Sequence, residues 1–249
     1  MTSDPYNMQS FSPWALLPLG FTIGTATGLW AVYFAALHNN IVAPLGSHSR
    51  NESLYPPFIS VTGNFPPGSC YFSMIMNLAA FAGLVIGFLR YLQLKSRLPR
   101  AWLNVAGLVL FSSSCFGMMV VGNFQLFSSR RIHDSGTLLT FGMGLLYCWL
   151  QAVVTLIVNL KGEGKRVAAL RFLLSGLITL CLALKFIFVQ ISLARAAQCQ
   201  WALVMFFLIY VGTFAIDFRH SRFDAVCTDQ AGPPEDSGTS MLEQELHQL

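Results

Sequence analysis

Apolar and polar residues alternate along this chain in long blocks, and the apolar block recurs six times. Uncharged or nearly uncharged runs occupy residues 14–37, 72–89, 102–127, 136–160, 172–193 and 201–216, separated by polar, basic or proline-rich segments. At 1.5 Å per residue, a helix of each run crosses, or with its flanks nearly crosses, a hydrocarbon layer about 30 Å thick. Backbone amides find no water partner in lipid, so a crossing segment pairs them within a helix or around a closed barrel. Barrel strands alternate with period two, and these runs are too long and too evenly apolar for that. The pattern therefore predicts an all-α integral membrane protein with six transmembrane helices.

Charge sharpens the picture. Of the 26 charged residues, all but Lys185 fall outside the six runs. Loops 90–101 and 161–171 and the C-terminal tail hold ten Lys and Arg, against four on the other side. The more basic side faces the cytosol. This puts both termini in the cytosol: an N-terminal segment 1–13, a transmembrane domain 14–216, and a tail 217–249 whose later part has a disordered composition. Only 10% of residues are charged, where a soluble domain carries about 25%, so the bilayer is the expected partner. The net charge of +4 sits in short loops beside apolar runs; it reads as topology and not as nucleic-acid binding. No Lys or Arg precedes the first run, which is longer than a signal-peptide core, so it is expected to remain as helix 1.

Candidate sites are few. Asn51-Glu52-Ser53 is an N-x-Ser sequon in the first exterior loop, making Asn51 a glycosylation candidate. The end of that loop, 57–63, reads as extended chain followed by a turn. Cys70 and Cys199 share the exterior side and form a candidate disulfide, with two unrelated thiols as the alternative. Cys227 lies just inside the cytosol and is an acylation candidate. Lys185 costs about 2.5–3.5 kcal/mol at the centre of a bilayer. It is expected to face the bundle interior, with Asn77, Tyr147 and Gln190 at partner depth, or else to snorkel outward. Gly20, Gly24 and Gly28 in helix 1, and Gly83 and Gly87 in helix 2, repeat every four residues and mark faces for close packing, within the chain or between two copies. His38, His48 and His133 are exterior histidines without metal-ligand spacing. Motifs for nucleophilic, zinc-dependent or nucleotide chemistry are absent, so neither catalysis nor a cofactor or metal is expected.

Four ordered blocks carry a resemblance. They are Pro57-Phe58-Ile59-Ser60 through Gly63, Pro66-Pro67 and Ser69-Cys70-Tyr71-Phe72-Ser73 to Asn77; Gly122-Asn123-Phe124-Gln125; His133 through Gly136-Thr137 to Leu139-Thr140-Phe141-Gly142-Met143-Gly144; and Gly212-Thr213-Phe214-Ala215-Ile216-Asp217-Phe218-Arg219-His220. Together they resemble the DRAM and transmembrane protein 150 family. The stretch 201–227 and the blocks around Trp102-Leu103-Asn104 and Gly117-Met118 are most similar to its C-type, tentonin branch. The resemblance implies six helices and no catalytic set. From the tentonin side it implies a component or modulator of a mechanically activated cation channel at the plasma membrane, with a channel subunit or a second copy as partner. From other branches it implies modulation of autophagy in endosomal or lysosomal membranes, or a scaffold for phosphoinositide supply with a cytosolic partner for the tail.

Overall fold

The computed structural model describes residues 12–47, 54–219 and 221–223. Asn51, His48 and Cys227 lie outside them. Six long helices, each long and apolar enough to cross a membrane, are joined by short connections and one long loop: α1 (Pro13–His38), α3 (Gly68–Leu94), α4 (Ala101–Asn123), α5 (Arg130–Val158), α6 (Gly164–Val189) and α7 (Leu193–Phe218). The short α2 (Ile59–Thr62) sits in the long loop. Among the described residues the only β pairing is a single bridge, Val42 with Tyr55.

The helices overrun the apolar runs because hydrogen bonding continues past the hydrocarbon zone until something breaks it. α3 takes in Gly68 to Leu94, and α7 begins at Leu193 and continues through Phe218. α4 does the opposite: it stops at Asn123, and Phe124 is extended. α5 ends where Asn159 turns left-handed at φ 42° and its Oδ1 accepts the amide of Gly164 at 2.9 Å. A Cβ on Gly164 would lie 2.4 Å from the Asn159 Cα, so only glycine fits this corner.

The helices pack in chain order as a ring. α1 lies against α3, α3 against α4, α4 against α5, α5 against α6, α6 against α7, and α7 closes back on α1. Closure combines a polar contact with ring packing: the Thr22 hydroxyl of α1 donates to the Leu208 carbonyl of α7 at 2.8 Å, and the Trp30 ring of α1 lies 4.4 Å from that of Trp201 on α7. Large side chains fill the middle, with Phe111, Tyr147, Tyr210, Phe214 and Phe218 fully buried. At one end of the ring, the basic end, the connections are short. At the other, the long-loop end, the described loop residues 39–47 and 54–67 meet through the Val42–Tyr55 bridge, and α2 packs on the bundle.

α4 and α5 approach most closely where α5 carries a π-helical turn, Leu139–Met143. A Cβ on Gly117 would lie 2.6 Å from the Thr140 amide and 2.7 Å from the Gly136 carbonyl. Ser114 donates to Thr140 O at 2.8 Å across this contact.

The stretch 57–63 differs from the expected extended chain. Ile59, Val61 and Thr62 are buried, and the backbone coils into α2 against α1 and α7. Two side chains of α7 hold it: Gln200 Oε1 accepts the Ile59 amide at 3.1 Å, and Trp201 Nε1 donates to Pro57 O at 2.9 Å. Burial of three apolar or small residues outweighs the local turn signal, which carries no tertiary information.

α6 is the least enclosed helix. Its buried residues, from Gly164 through Val167, Ala168, Arg171, Leu174 and Ser175 to Ile178, all lie in its first two thirds.

Candidate functional site

Three charged residues lie inside the bundle at the basic end. On α3 the inward stripe runs Gly83, Ile86, Gly87 and then Arg90; on α6 it runs Val167, Ala168, Arg171, Leu174; on α7 it runs Tyr210, Val211, Phe214, Asp217. Residues three and four apart share a helix face, so each charge extends a core-facing stripe by one step. Relative exposure falls to 1% for Arg90, 0% for Arg171 and 8% for Asp217.

The Asp217 carboxylate bridges the two guanidiniums. Oδ1 lies 3.5 Å from Arg90 Nη1, and Oδ2 accepts directly from Arg171 Nη2. The remaining donors are also met. Arg90 donates through Nε to Gln151 Oε1 at 3.2 Å and through Nη1 to Gln93 Oε1 at 2.6 Å. Arg171 donates through Nε to Thr213 Oγ1 at 3.0 Å and through Nη1 to Thr155 Oγ1. Gln93 closes the circuit by donating to Asp217 O at 2.9 Å and to Ser221 Oγ at 2.6 Å. Both cations also stand over one ring: Arg171 Cζ is 4.5 Å and Arg90 Cζ 5.3 Å from the Phe214 centroid.

Two positive charges and one negative leave the buried centre with a formal excess of one positive charge. A carboxylate held by two guanidiniums is a poor proton acceptor, and arginine does not release its proton. The chemistry of the arrangement is electrostatic. It ties α3, α5, α6 and α7 together and leaves no free nucleophile or base within it. Above it Tyr147 stacks on Phe111 at 4.3 Å, and its hydroxyl, shut off from any accessible space, has no partner among the described residues. Among the described residues no group of three His, Cys, Asp or Glu could hold a metal ion.

By charge pattern alone Arg90 and Arg171 are loop cations and Asp217 opens the tail. In the structure all three belong to the helical bundle, because each helix runs past its apolar stretch. Phe218 is buried too, Phe223 packs edge-on against Phe218 and Trp14 at 5.6 Å, and Ser12 N donates to Arg219 O at 3.1 Å, so the start of the tail is bound to α1. The usable signal was helical spacing: Arg90 stands three and seven residues beyond Gly87 and Gly83, on the face already marked for packing.

The other candidates scatter. Gly83 and Gly87 pack as expected of small residues: an added Cβ would meet Cys115 Sγ at 2.8 Å and Phe111 Cδ1 at 2.7 Å. Gly28 meets Ile75 at 2.9 Å, but Gly20 and Gly24 face open space. Cys70 and Cys199 are free thiols, the first exposed and the second half-buried, and no bond joins them. They stand on α3 and α7, and α1 packs against both of these helices, between them in the ring. Lys185 is half-buried one turn from the end of α6, not enclosed by the bundle. Its ammonium lies 5.4 Å from the Phe186 ring centroid and 5.9 Å from that of Phe141. The longer α6 moves it off the helix centre, where an aliphatic stem reaches the helix end at low cost. His133 is buried, with Nδ1 2.7 Å from Phe124 O, and His38 is exposed.

A family model described as the Frag1/DRAM/Sfk1/Cwh43P N-terminal domain matches residues 13–221. The chain is 34% identical over 220 residues to a zebrafish (Danio rerio) protein, "Modulator of macroautophagy TMEM150B", covering 88% of this chain and 91% of that one. It is 33% identical over 208 residues to the Xenopus tropicalis protein of the same name, covering 83% and 87%. It is 33% identical over 226 residues to human "Transmembrane protein 150A", covering 82% and 83%. No solved structure matches.

Proposed function

The chain belongs to the Frag1/DRAM/Sfk1 family, and from that premise we propose that it is a non-catalytic multi-pass modulator of macroautophagy, working from an endosomal or lysosomal membrane. The observation that carries this reading is the near-full-length likeness to proteins named as modulators of macroautophagy. The geometry supports its non-catalytic part. The charges inside the bundle are committed to holding four helices together at the basic end, and the start of the tail is docked there.

That basic end faces the cytosol. With the buried Arg90 and Arg171 set aside, its loops and tail still carry eight Lys and Arg against four at the long-loop end. Asn51 then lies in the lumen or outside, and a glycosidase-sensitive shift in mobility that vanishes in N51Q is the expected sign. An epitope at the C-terminus that stains unpermeabilised cells would reverse this orientation.

Depletion of the protein is expected to change the turnover of a tandem-fluorescent autophagosome reporter. Re-expression of the wild-type chain restores it. A chain lacking residues 228–249 separates a role of the tail, as a dock for a cytosolic partner, from a role of the bundle. Unchanged turnover on depletion removes the proposal.

A second reading, component or modulator of a mechanically activated cation channel at the plasma membrane, is favoured by the likeness of residues 201–227 to the tentonin branch. Buried rings fill the middle of the ring of helices, so this reading takes the form of a modulator or of a path between copies, not a pore through one chain. Indentation of expressing cells that lack stretch-gated channels, with and without a co-expressed channel, tests it. No current and no altered current would remove it.

A further inference from the structure

We propose that the cavity beneath α2, continued past Thr25 into the crevice between α1 and α3, binds a single acyl chain that carries a neutral ester or hydroxyl head. This inference stands apart from the functional reading above.

The cavity measures about 60 Å³ and lies inside the bundle under α2. Its wall is mostly apolar, with Leu29, Phe72, Met76, Met118, Val204 and Leu208 contributing. The crevice measures about 470 Å³ and opens on the outer surface of the bundle, between Leu16–Thr25 of α1 and Ile75–Ala82 of α3. Thr25 lines both. The two spaces therefore adjoin at Thr25, the crevice on the lipid-facing side and the cavity on the interior side.

Among the cavity's polar side chains, Thr137 and Thr140 donate to His133 O and Gly136 O, each at 2.9 Å, and three others keep unused capacity. Gln200 is buried, and its Oε1 is fixed as the acceptor of the Ile59 amide. Its Nε2 has no acceptor among the described residues. Thr25 is also buried, and neither its hydroxyl nor that of Ser60 makes a hydrogen bond there. An apolar pocket with a few convergent polar groups is how small-molecule sites are commonly built. The groups on offer are an amide donor and two hydroxyls, which suit an ester carbonyl or a hydroxyl. No charged residue lines the cavity, and an ionised head there would go uncompensated.

The shape selects the body of the ligand. From Leu29 to Leu16, α1 rises about 20 Å, the reach of a long fatty acyl chain. The inner slot is narrow beside the crevice, so a flexible chain enters where a fused-ring body does not. A helix from a second copy, about 10 Å across, fills the crevice alone and leaves Gln200 Nε2 unmet. Bare Gly20 and Gly24 supply the width: nothing lies within 4 Å of a Cβ built on either.

The test uses the full-length protein in phosphatidylcholine nanodiscs with a monoacylglycerol probe bearing a mid-chain diazirine and a terminal alkyne. Photolabel is expected on peptides containing Thr25 and residues 75–82, and is competed by unlabelled monoacylglycerol but not by the ionised fatty acid. Gly24→Leu on one wall and Ala82→Leu on the other should each abolish it, with melting temperature checked for both. Gln200→Leu should erase the preference for the neutral head while labelling persists. Label that spreads over all lipid-facing helices and is insensitive to G24L and A82L overturns the proposal. So does stronger labelling of the same peptides by a diazirine sterol, or cross-linking of G24C between copies.

Discussion

Asp217 is one carboxylate shared by two buried guanidiniums, and this arithmetic sets the response to substitution. Asp217→Asn leaves two like charges packed against one phenyl ring without a counter-charge. Removing one partner of a buried pair costs about 3–5 kcal/mol, and here the loss falls on the minority charge. Arg90→Met, by contrast, leaves a one-to-one pair of Arg171 and Asp217. Thermal melting in detergent should therefore rank wild type above R90M and R90M above D217N; the reverse order would mean that the carboxylate is dispensable. The glycines give a second comparison. Gly87→Leu drives a side chain into Phe111 and should cost about 1–3 kcal/mol, whereas Gly20→Ala meets open space and should gain up to about 1 kcal/mol from helix propensity. Four-residue spacing picked out all five glycines equally; which of them touch a neighbour depends on how α1 and α3 diverge, and that divergence leaves no mark in local sequence. Lys185 shows the same limit. Its depth depends on where α6 begins, and residues 164–171 are helical although Lys165, Arg166 and Arg171 give them the charge of a loop.

At the scale of elements, the six long helices were legible because lipid imposes one rule on every crossing segment. Their ends were not, since a helix leaves the hydrocarbon before it meets its breaker. α2 was illegible for a different reason: Pro57 to Gly63 has local turn chemistry, and the Gln200 and Trp201 side chains of a distant helix supply its hydrogen bonds to the bundle. Trp201→Phe removes the donor to Pro57 O while keeping most of the ring. It should cost about 1 kcal/mol and raise the protease sensitivity of the long loop at the Tyr55–Phe65 stretch. Unaltered cleavage would show that the ring packing of Trp30, Tyr33 and Trp201 suffices to seat α2.

For the whole molecule, short connections already imply that neighbours in sequence are neighbours in space, all around from α3 to α7. The contact that turns this row into a ring is between the first helix and the last, and hydropathy is silent about it. Cysteines at Thr22 and Leu208 should be joined within one chain by a short bifunctional thiol reagent, giving a faster-migrating monomer on gels. Cross-linked dimers in its place would mean that the first helix is exchanged between copies. With the two buried arginines set aside, the sign of the charge bias between the two ends is unchanged, eight Lys and Arg against four.

α6 is held fast from Gly164 to Ile178 and only partly covered from there to Val189, where Cys181 and Leu182 still touch the core and a tight turn leads into α7. Mechanically it is a beam clamped at Arg171 and more lightly held at its other end. The tilt of that reach is open to the thickness of the surrounding bilayer as well as to protein neighbours. Thinning the membrane would load the clamp, where a rotation of α6 is felt directly by Asp217.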